Sequence, residues 1–573
     1  MYFHHRIQRD PHTREEYIEV PFQGKALLEH SLFNKSSAFS EEEREAFKLH
    51  GLLPPHVSTL EQQLQRVYEN YKRHATNLDK YVYLSALQDR NTTLFYRLLL
   101  EHIEEMMPIV YTPVVGEACQ HYSHIYRRSR GLYLSYPLQD QLERMLDNVP
   151  QELVEVVVVS DGERILGLGD LGIGGMGIPQ GKLTLYTLCA GIHPATTLPV
   201  LLDTGTDNPV LLNDPLYLGW KHPRVRGEEY DGFVDRFVQA LKKKFPHVLL
   251  QWEDFARENA SRLLEKYRGE LCSFNDDIQG TGAVSLAALL AAAKATGTRL
   301  SEHRFVFYGA GSSAWGITRQ IQAKLLQEGL ALEEIKKRIF WLDRRGLIYE
   351  GREGVHGYKA EYAQSKEVWR DWRVSNPGYI SLEEVVENAQ PTVLIGTSTV
   401  PSVFSQRVVE TMARYAERPI IFPLSNPTSK AEAHPRDLLR WSGGRAIVAA
   451  GSPFGEVEYD GRIYRIAQCN NAYIFPGVGL GVVVAKAREV SDSMFLAAAE
   501  ALSALSPMLE NPTGPLLPPL TQIREVSRKV AMAVAQEAMR LGLHREDLGD
   551  LEEKLRAKMW YPRYYPYRLP KGL

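Results

Sequence analysis

Glu253 and Asp254 close the apolar run Val248–Trp252, and Asp276 and Asp277 close the run CSFN just ahead of an apolar helical stretch. If both runs are strands of a parallel sheet, the acids stand at carboxyl ends, where such sheets gather ligands. Carboxylates converging there repel one another unless protonated or bridged by a cation. No Cys or His partner is spaced with them, so the fitting ion is hard and oxygen-bound, Mg2+ or Mn2+. The competing reading leaves Glu253 and Asp254 in solvent and makes Asp276 or Asp277 a helix cap. Lys182 begins an apolar helix in GMGIPQGKLTLYTLCAGI, with Pro179 suited to its first turn. A lysine drawn into an apolar site holds its proton less tightly and becomes a candidate general base. The plain alternative is a lysine that snorkels to the surface. Arg164 precedes a glycine-dense loop, residues 167–181, and would grip a carboxylate bidentately or make a surface ion pair.

A second chemical centre lies in FVFYGAGSSAWGI, where Gly309, Gly311 and Ala314 make G-x-G-x-x-A. The glycines permit a tight turn and close approach to a pyrophosphate, and the helix opening at Ser312 and Ser313 offers amide donors and a positive dipole end. An apolar run precedes the motif, and Asp343 ends the next one, placed to take ribose hydroxyls. Arg344, Arg345 and Lys359 would equally serve a 2′-phosphate, so NAD and NADP both stay open. The alternative is a glycine turn used only for packing.

The elements that must position these residues follow from pattern. Residues from about 40 to 130 read as helix, opened by a capping box at Ser40–Glu43 and ended by Pro108 and Tyr111-Thr112-Pro113. Val154–Val159, Arg164–Leu168, Leu198–Leu202 and Val248–Trp252 read as strands of an α/β domain. Arg304–Tyr308, Ile339–Asp343, Thr392–Gly396, Pro419–Leu424 and Ala446–Ala449 read as a second parallel set. Gly477–Arg540 reads as helix broken at Pro512–Pro519, and Trp560–Leu573 as a surface arm or a subunit contact. The fold class is therefore α/β: a helical N-terminal domain (1–130), a substrate and metal domain (131–276, completed by about 467–540), a Rossmann-type dinucleotide domain (277–466) with a helical C-terminal part, and a tail (541–573).

Composition agrees with a globular protein. The 573 residues are 44% hydrophobic and 24% charged, and the formal net charge of −3 gives no basic face for nucleic acid. The four cysteines, Cys119, Cys189, Cys272 and Cys469, show no paired spacing and read as free buried thiols. The N-terminus lacks a signal-peptide apolar core, and the apolar stretches Gly282–Ala293 and Val478–Ala485 fall short of the ~20 residues of a membrane span. The expectation is a soluble cytoplasmic protein with no membrane partner.

Taken together, MPIVYTPVVGEAC, DGERILGLGDLGIGGMGIPQGKLTLYTLCAGI, LLDTGTDN, QWEDFA, CSFNDDIQGTGAV, the Gly309 motif, PLSNPTSKAEAHP and QCNNAYIFPG resemble the malic enzyme family, from about residue 50 to about 540. The resemblance implies oxidative decarboxylation of L-malate to pyruvate and CO2, with oxaloacetate decarboxylation as a companion activity. It implies Glu253, Asp254 and Asp277 as ligands of Mg2+ or Mn2+, with Asp277 also near the cofactor. Lys182 is implied as general base with Asp276 as its partner, and Tyr111 as the acid that protonates the enol. Arg164 and Asn426 are implied as malate and nicotinamide contacts, and one of Asn470 and Asn471 as a further malate contact. The bacterial NAD-linked branch is the nearer in wording, and Asp343 favours NAD. A homodimer or homotetramer is the family expectation. Arg66 and Arg90 stand where regulated members bind effectors, or else make surface ion pairs. The rivals are a malolactic enzyme, which forms lactate with bound NAD and Mn2+, and a non-catalytic malate-binding sensor, which would not need Lys182 and Tyr111.

Overall fold

The computed structural model describes residues 7–570 and divides into two compact units, Met1–Phe255 with Arg556–Leu573, and Ala256–Leu555. The division falls earlier than the expected break at 276, and residues 467–540 belong to the second unit.

The first unit is not wholly helical at its start. Strands β1 (Ile7–Arg9) and β2 (Glu16–Glu19) pair antiparallel, and the strand Tyr567–Arg568 adds parallel to β2. The tail is therefore docked and not a loose arm; residues 571–573 lie outside the described residues. Tyr565 and Tyr567 are buried in a cluster with Phe33, Phe39 and Phe47, because an aromatic, prolyl segment has apolar area to hide. Lys35 Nζ sits 3.8 Å from the Tyr567 ring centroid and donates to Glu43 Oε1 and the Tyr565 carbonyl, each at 2.5 Å. Helices follow, and the Ser40–Glu43 capping box forms as expected. Pro108 does not end its helix, which runs Ile103–Val110; the chain leaves it at Tyr111.

Strands β3 (Leu132–Ser135), β4 (Val156–Ser160), β5 (Thr197–Asp203) and β6 (Leu249–Trp252) lie side by side in the order β3-β5-β4-β6, all parallel. β4 is wholly buried, which is why it reads as an unbroken valine run. The expected strand Arg164–Leu168 is instead a turn closed by a bridge between Ile165 and Gly169, with Leu166 left-handed at φ 49°. The helix Gly177–Ala190 packs on β4 and β5 and ends at Gly191 in the left-handed conformation.

The second unit opens with β7 (Ser273–Asn275) and a π-turn, Asp276–Gly280, that runs into the helix Thr281–Ala295. This continuous segment, Asp276–Ala295, is long and apolar enough to cross a membrane, more than the reading of Gly282–Ala293 suggested. It is 83% buried inside the protein, as an all-round apolar core helix must be. Strands β8 (Phe305–Tyr308), β9 (Ile339–Asp343), β10 (Gly346–Leu347), β11 (Val393–Gly396), β12 (Ile420–Pro423) and β13 (Ile447–Ala450) form one sheet. A hairpin, β14 (Glu456–Tyr459) and β15 (Arg462–Arg465), leads to β16 (Ala467–Gln468), and the sheet order is β10-β9-β8-β11-β12-β13-β16. All pairs are parallel except β10 on β9. From β8 the chain passes to β9 on one side and to β11 on the other, so the topological switch point lies between β8 and β11. Helices Phe475–Ala485 and Ile523–Arg540 then pack closely: a Cβ on Gly477 would stand 2.7 Å from Val530, and one on Gly481 2.7 Å from the Ala531 carbonyl.

Candidate active site

In the first unit, Lys182 and Tyr186 lie one turn apart on the helix Gly177–Ala190, so both face the same way. Gln251, on β6, and Glu253, one residue past it, are two apart and share a face of the sheet. The two ladders meet. Lys182 Nζ is 2.9 Å from Glu253 Oε1, with side chains 3% and 2% exposed, and the Tyr186 hydroxyl donates to Gln251 Oε1 at 2.5 Å. Gln251 Nε2 in turn donates to Glu253 Oε2 at 2.8 Å. The snorkelling alternative for Lys182 is thereby overturned, and so is the solvent-facing alternative for Glu253 and Asp254, which are both buried. Lys182 Nζ also lies 5.3 Å from the ring centroid of buried Tyr111. Gly181 makes room for that ring: a Cβ there would stand 2.9 Å from Tyr111 Cδ2. Burial pushes the Tyr111 phenol well above its usual range; Lys182 opposes the shift, and Glu253 and Asp254 add to it. Tyr111 is therefore a neutral, proton-bearing group.

Asp254 has a left-handed backbone, φ 54°, a conformation that aspartate tolerates better than most residues. Its Oδ2 accepts from the Leu166 amide at 3.2 Å, which ties it to the turn after β4. Arg164 lies in that turn, exposed and without an ion pair among the described residues. The loop carrying it is anchored by Arg224, whose buried guanidinium grips both oxygens of Asp170 at 2.7 Å. Buried Glu253 and Asp254 form an oxygen-only donor set of the kind a hard divalent ion takes.

In the second unit, Asn275 and not either aspartate caps the π-turn, its side chain accepting from the Ile278 amide at 3.1 Å. The carboxylates of Asp276 and Asp277 are thus not spent on capping. Asp276 is fully buried and accepts from Asn471 Nδ2 on Oδ2 at 3.0 Å and on its carbonyl at 3.1 Å. Asp277 is partly exposed. Asn470 spends its Oδ1 on the Ala472 amide, at 2.9 Å.

Gly309 follows β8 with φ 111°, and a Cβ there would lie 2.5 Å from the carbonyl carbon of Thr397. Gly311 precedes the helix Ser312–Gln327 and faces open space, while Ala314 is fully buried. This is the cradle a pyrophosphate needs: backbone in close approach, open room, a helix N-terminus with Ser312 and Ser313 in its first turn. Asp343 ends β9 but is already engaged, accepting from Arg352 Nη2 at 2.6 Å, Lys359 Nζ at 3.3 Å and the Arg345 amide at 2.9 Å. Burial alone would raise its carboxyl; Arg352, that amide and Lys359 outweigh it and hold it below the usual carboxylate value. Asn426 follows β12, with its Oδ1 accepting from Ser452 Oγ at 2.6 Å.

Tyr186, Gln251, Arg352 and Ser452 are partners that sequence reasoning missed. A glutamine interrupting the apolar run VLLQW is a signal for Gln251; the others carry none. Arg66 and Arg90 line a cavity of about 380 Å3 and form no ion pair among the described residues, against the surface-pair reading. None of the four cysteines forms a disulfide; Cys119, Cys189 and Cys272 are buried, whereas Cys469 is partly exposed, against the reading of four buried thiols.

A switch-point glycine loop in one unit and a buried lysine–carboxylate pair in the other define a dinucleotide-using oxidoreductase of α/β architecture. Residues 88–268 match the family described as malic enzyme, N-terminal domain, and residues 278–539 the malic enzyme, NAD binding domain. The chain belongs to the malic enzyme family. It is 52% identical to an NAD-dependent malic enzyme of Proteus mirabilis over 558 residues, 97% of this chain and 99% of the relative. It is 50% identical to one of Vibrio parahaemolyticus over 552 residues, 96% and 98% of the two chains. Among solved structures, the malic enzyme of Pyrococcus horikoshii aligns with a TM-score of 0.54 at 24% identity, over 80% of this chain and 89% of that one. At that identity the likeness is one of fold.

Proposed function

We propose that this chain catalyses the NAD-dependent oxidative decarboxylation of L-malate to pyruvate and CO2. The observation that carries the reading is the buried constellation of Lys182, Glu253 and Tyr111, in a chain whose half-identical relatives are NAD-dependent malic enzymes. When bound, the dinucleotide accepts the hydride and a divalent cation supplies Lewis acidity. Glu253, Asp254 and Asp277 are the ligands we assign to Mg2+ or Mn2+, on the chemistry of the donor set. Gly309, Gly311, Ser312, Ser313, Ala314 and Asp343 are assigned to the dinucleotide. The same site accounts for decarboxylation of oxaloacetate.

Lys182 takes the proton of the C2 hydroxyl as general base, with Asp276 as the partner that supports it. Tyr111, held as the neutral phenol, then delivers a proton to C3. Arg164 and Asn426 hold malate and the nicotinamide, and Asn470 or Asn471 supplies a further malate contact. Asp343 favours NAD. Lys359 and Arg352 already occupy its carboxylate, so they are the groups a 2′-phosphate would compete for. Membership of the family supports a cytoplasmic homodimer or homotetramer.

The deciding experiment is an assay on L-malate with Mn2+, comparing NAD with NADP and identifying the product. Pyruvate with one NADH per turnover is expected. Lactate without net NADH would establish the malolactic rival, and malate binding without turnover the sensor; neither rival draws support from the relatives.

A further inference from the structure

Glu432 is fully buried and has no ion-pair partner among the described residues. Its carboxylate instead collects donors from two loops. Oε1 accepts from the Ser398 amide and hydroxyl, both at 2.8 Å, and from Ser425 Oγ at 2.5 Å; Oε2 accepts from the Ser425 amide at 3.3 Å. Ser398 follows β11 and Ser425 follows β12. A buried carboxylate without a counter-charge is costly unless several donors surround it. The backbone is shaped to admit it: a Cβ on Gly396 would lie 2.4 Å from Glu432 Cδ.

The contacts continue into the switch-point crevice. Thr397 Oγ1 donates to the Gly309 carbonyl at 3.0 Å, joining the β11 loop to the glycine turn after β8. The Thr399 amide donates to Ser425 Oγ at 2.8 Å. Thr399 itself is left-handed, φ 58°, a strained state for a β-branched residue that persists only where its surroundings hold it. Beside Ser425, Asn426 accepts from Ser452 Oγ on its amide oxygen, which fixes the orientation of its side chain.

We infer that Glu432 is a positioning residue for the dinucleotide: by bracing Ser398 and Ser425 it fixes the loops after β11 and β12 against the Gly309 turn and sets the amide of Asn426. This rests on the dinucleotide reading above. The Glu432 carboxyl, the two serines and the left-handed threonine gather at the carboxyl ends of the neighbouring strands β11 and β12, beside the Gly309 turn.

The test is titration of the full chain with NAD in the absence of malate, for wild type, Glu432→Gln, and the single variants Ser398→Ala and Ser425→Ala, alongside their melting temperatures. Glu432→Gln replaces one acceptor oxygen by a donor facing donors. Its Kd for NAD, and KM for NAD in step, should rise about tenfold or more, the scale of a lost charge-assisted hydrogen bond. The serine variants should shift in the same direction by less. A folded Glu432→Gln protein that melts lower but binds NAD like wild type overturns the inference. If that variant does not fold, unchanged NAD affinity in both serine variants overturns it equally. Wild-type protein that fails to bind NAD refutes the dinucleotide reading itself, a different result from variants that match a binding wild type.

Discussion

Lys182 Nζ stands 2.9 Å from Glu253 Oε1, and neither side chain is more than 3% exposed. Removing one member of so dry a pair takes from the other a buried partner, at a cost of up to about 3–5 kcal/mol. Gln251 still donates to Glu253 but carries no charge. Lys182→Ala should therefore lose stability on that scale in denaturant unfolding, and Lys182→Ala with Glu253→Gln should regain much of it. Malate oxidation should fall by about 100-fold or more in Lys182→Ala. Near-normal turnover in that variant would remove Lys182 from the general-base role.

Tyr111 gives a prediction with a pH signature. Burial, chiefly, raises its folded pKa above the unfolded value of about 10. A raised folded pKa means that the neutral phenol is favoured in the native state. Its contribution to stability is whole below about pH 10 and is lost as pH climbs toward the folded pKa. The stability difference between wild type and Tyr111→Phe should be flat below about pH 10 and move against wild type above it. The alkaline limb of the wild-type kcat profile should not report Tyr111 ionisation below that pH. Tyr111→Phe should also lose pyruvate formation; full activity would discard Tyr111 as the acid.

These two residues show what could be read from the chain alone. β9 was legible to its last residue because an apolar run ending in an acid has few other solutions. The run Arg164–Leu168 has the same apolar look, but glycines on either side and a left-handed Leu166 make it a turn. The acids at 253, 254, 276 and 277 were recognisable by type. The Glu253 partner of Lys182 was not, because it depends on how one helix packs on a strand distant in sequence. Likewise Asn275 took the capping role weighed for its aspartate neighbours. Glu432 looks like one more loop acid until the sheet buries it.

Gly181 is needed by Tyr111 and not by its own helix. Gly181→Ala places a Cβ 2.9 Å from Tyr111 Cδ2 and should displace the ring, lowering kcat by up to about 100-fold. The helix itself gains from the change, by about 1 kcal/mol of propensity, so any fall in melting temperature should be small. Gly232→Ala, on the exposed face of the helix Gly227–Lys244 with nothing within 4 Å of the new Cβ, is the control and should gain stability with unchanged turnover. Equal activity in both variants would sever the link between Gly181 and Tyr111.

Divalent metal has a readout apart from turnover. Chelation should abolish activity and Mn2+ restore it. Mn2+ should also raise the unfolding free energy of wild type, by about 2.7 kcal/mol at 100 times its Kd. Asp254→Asn should lose most of that rise. Full activity in metal-free protein would rule out the proposed mechanism.

The docked tail predicts a stability effect separate from catalysis. Tyr567 packs edge-on against Phe33, Phe39 and Phe47, lies under Lys35, and donates its amide to Glu43 Oε1 at 2.9 Å. Tyr567→Ala should cost about 3–5 kcal/mol, as for other buried aromatics. Trp560, earlier in the tail, donates its amide to the Gly191 carbonyl at 2.7 Å, where the helix carrying Lys182 ends. Removal of residues 560–573 should therefore destabilise the first unit more than Tyr567→Ala does, while NAD affinity, which rests chiefly on the Gly309 motif of the second unit, should stay near the wild-type value. A truncated chain that melts with wild type would mean that the tail contributes nothing to the fold it rests on.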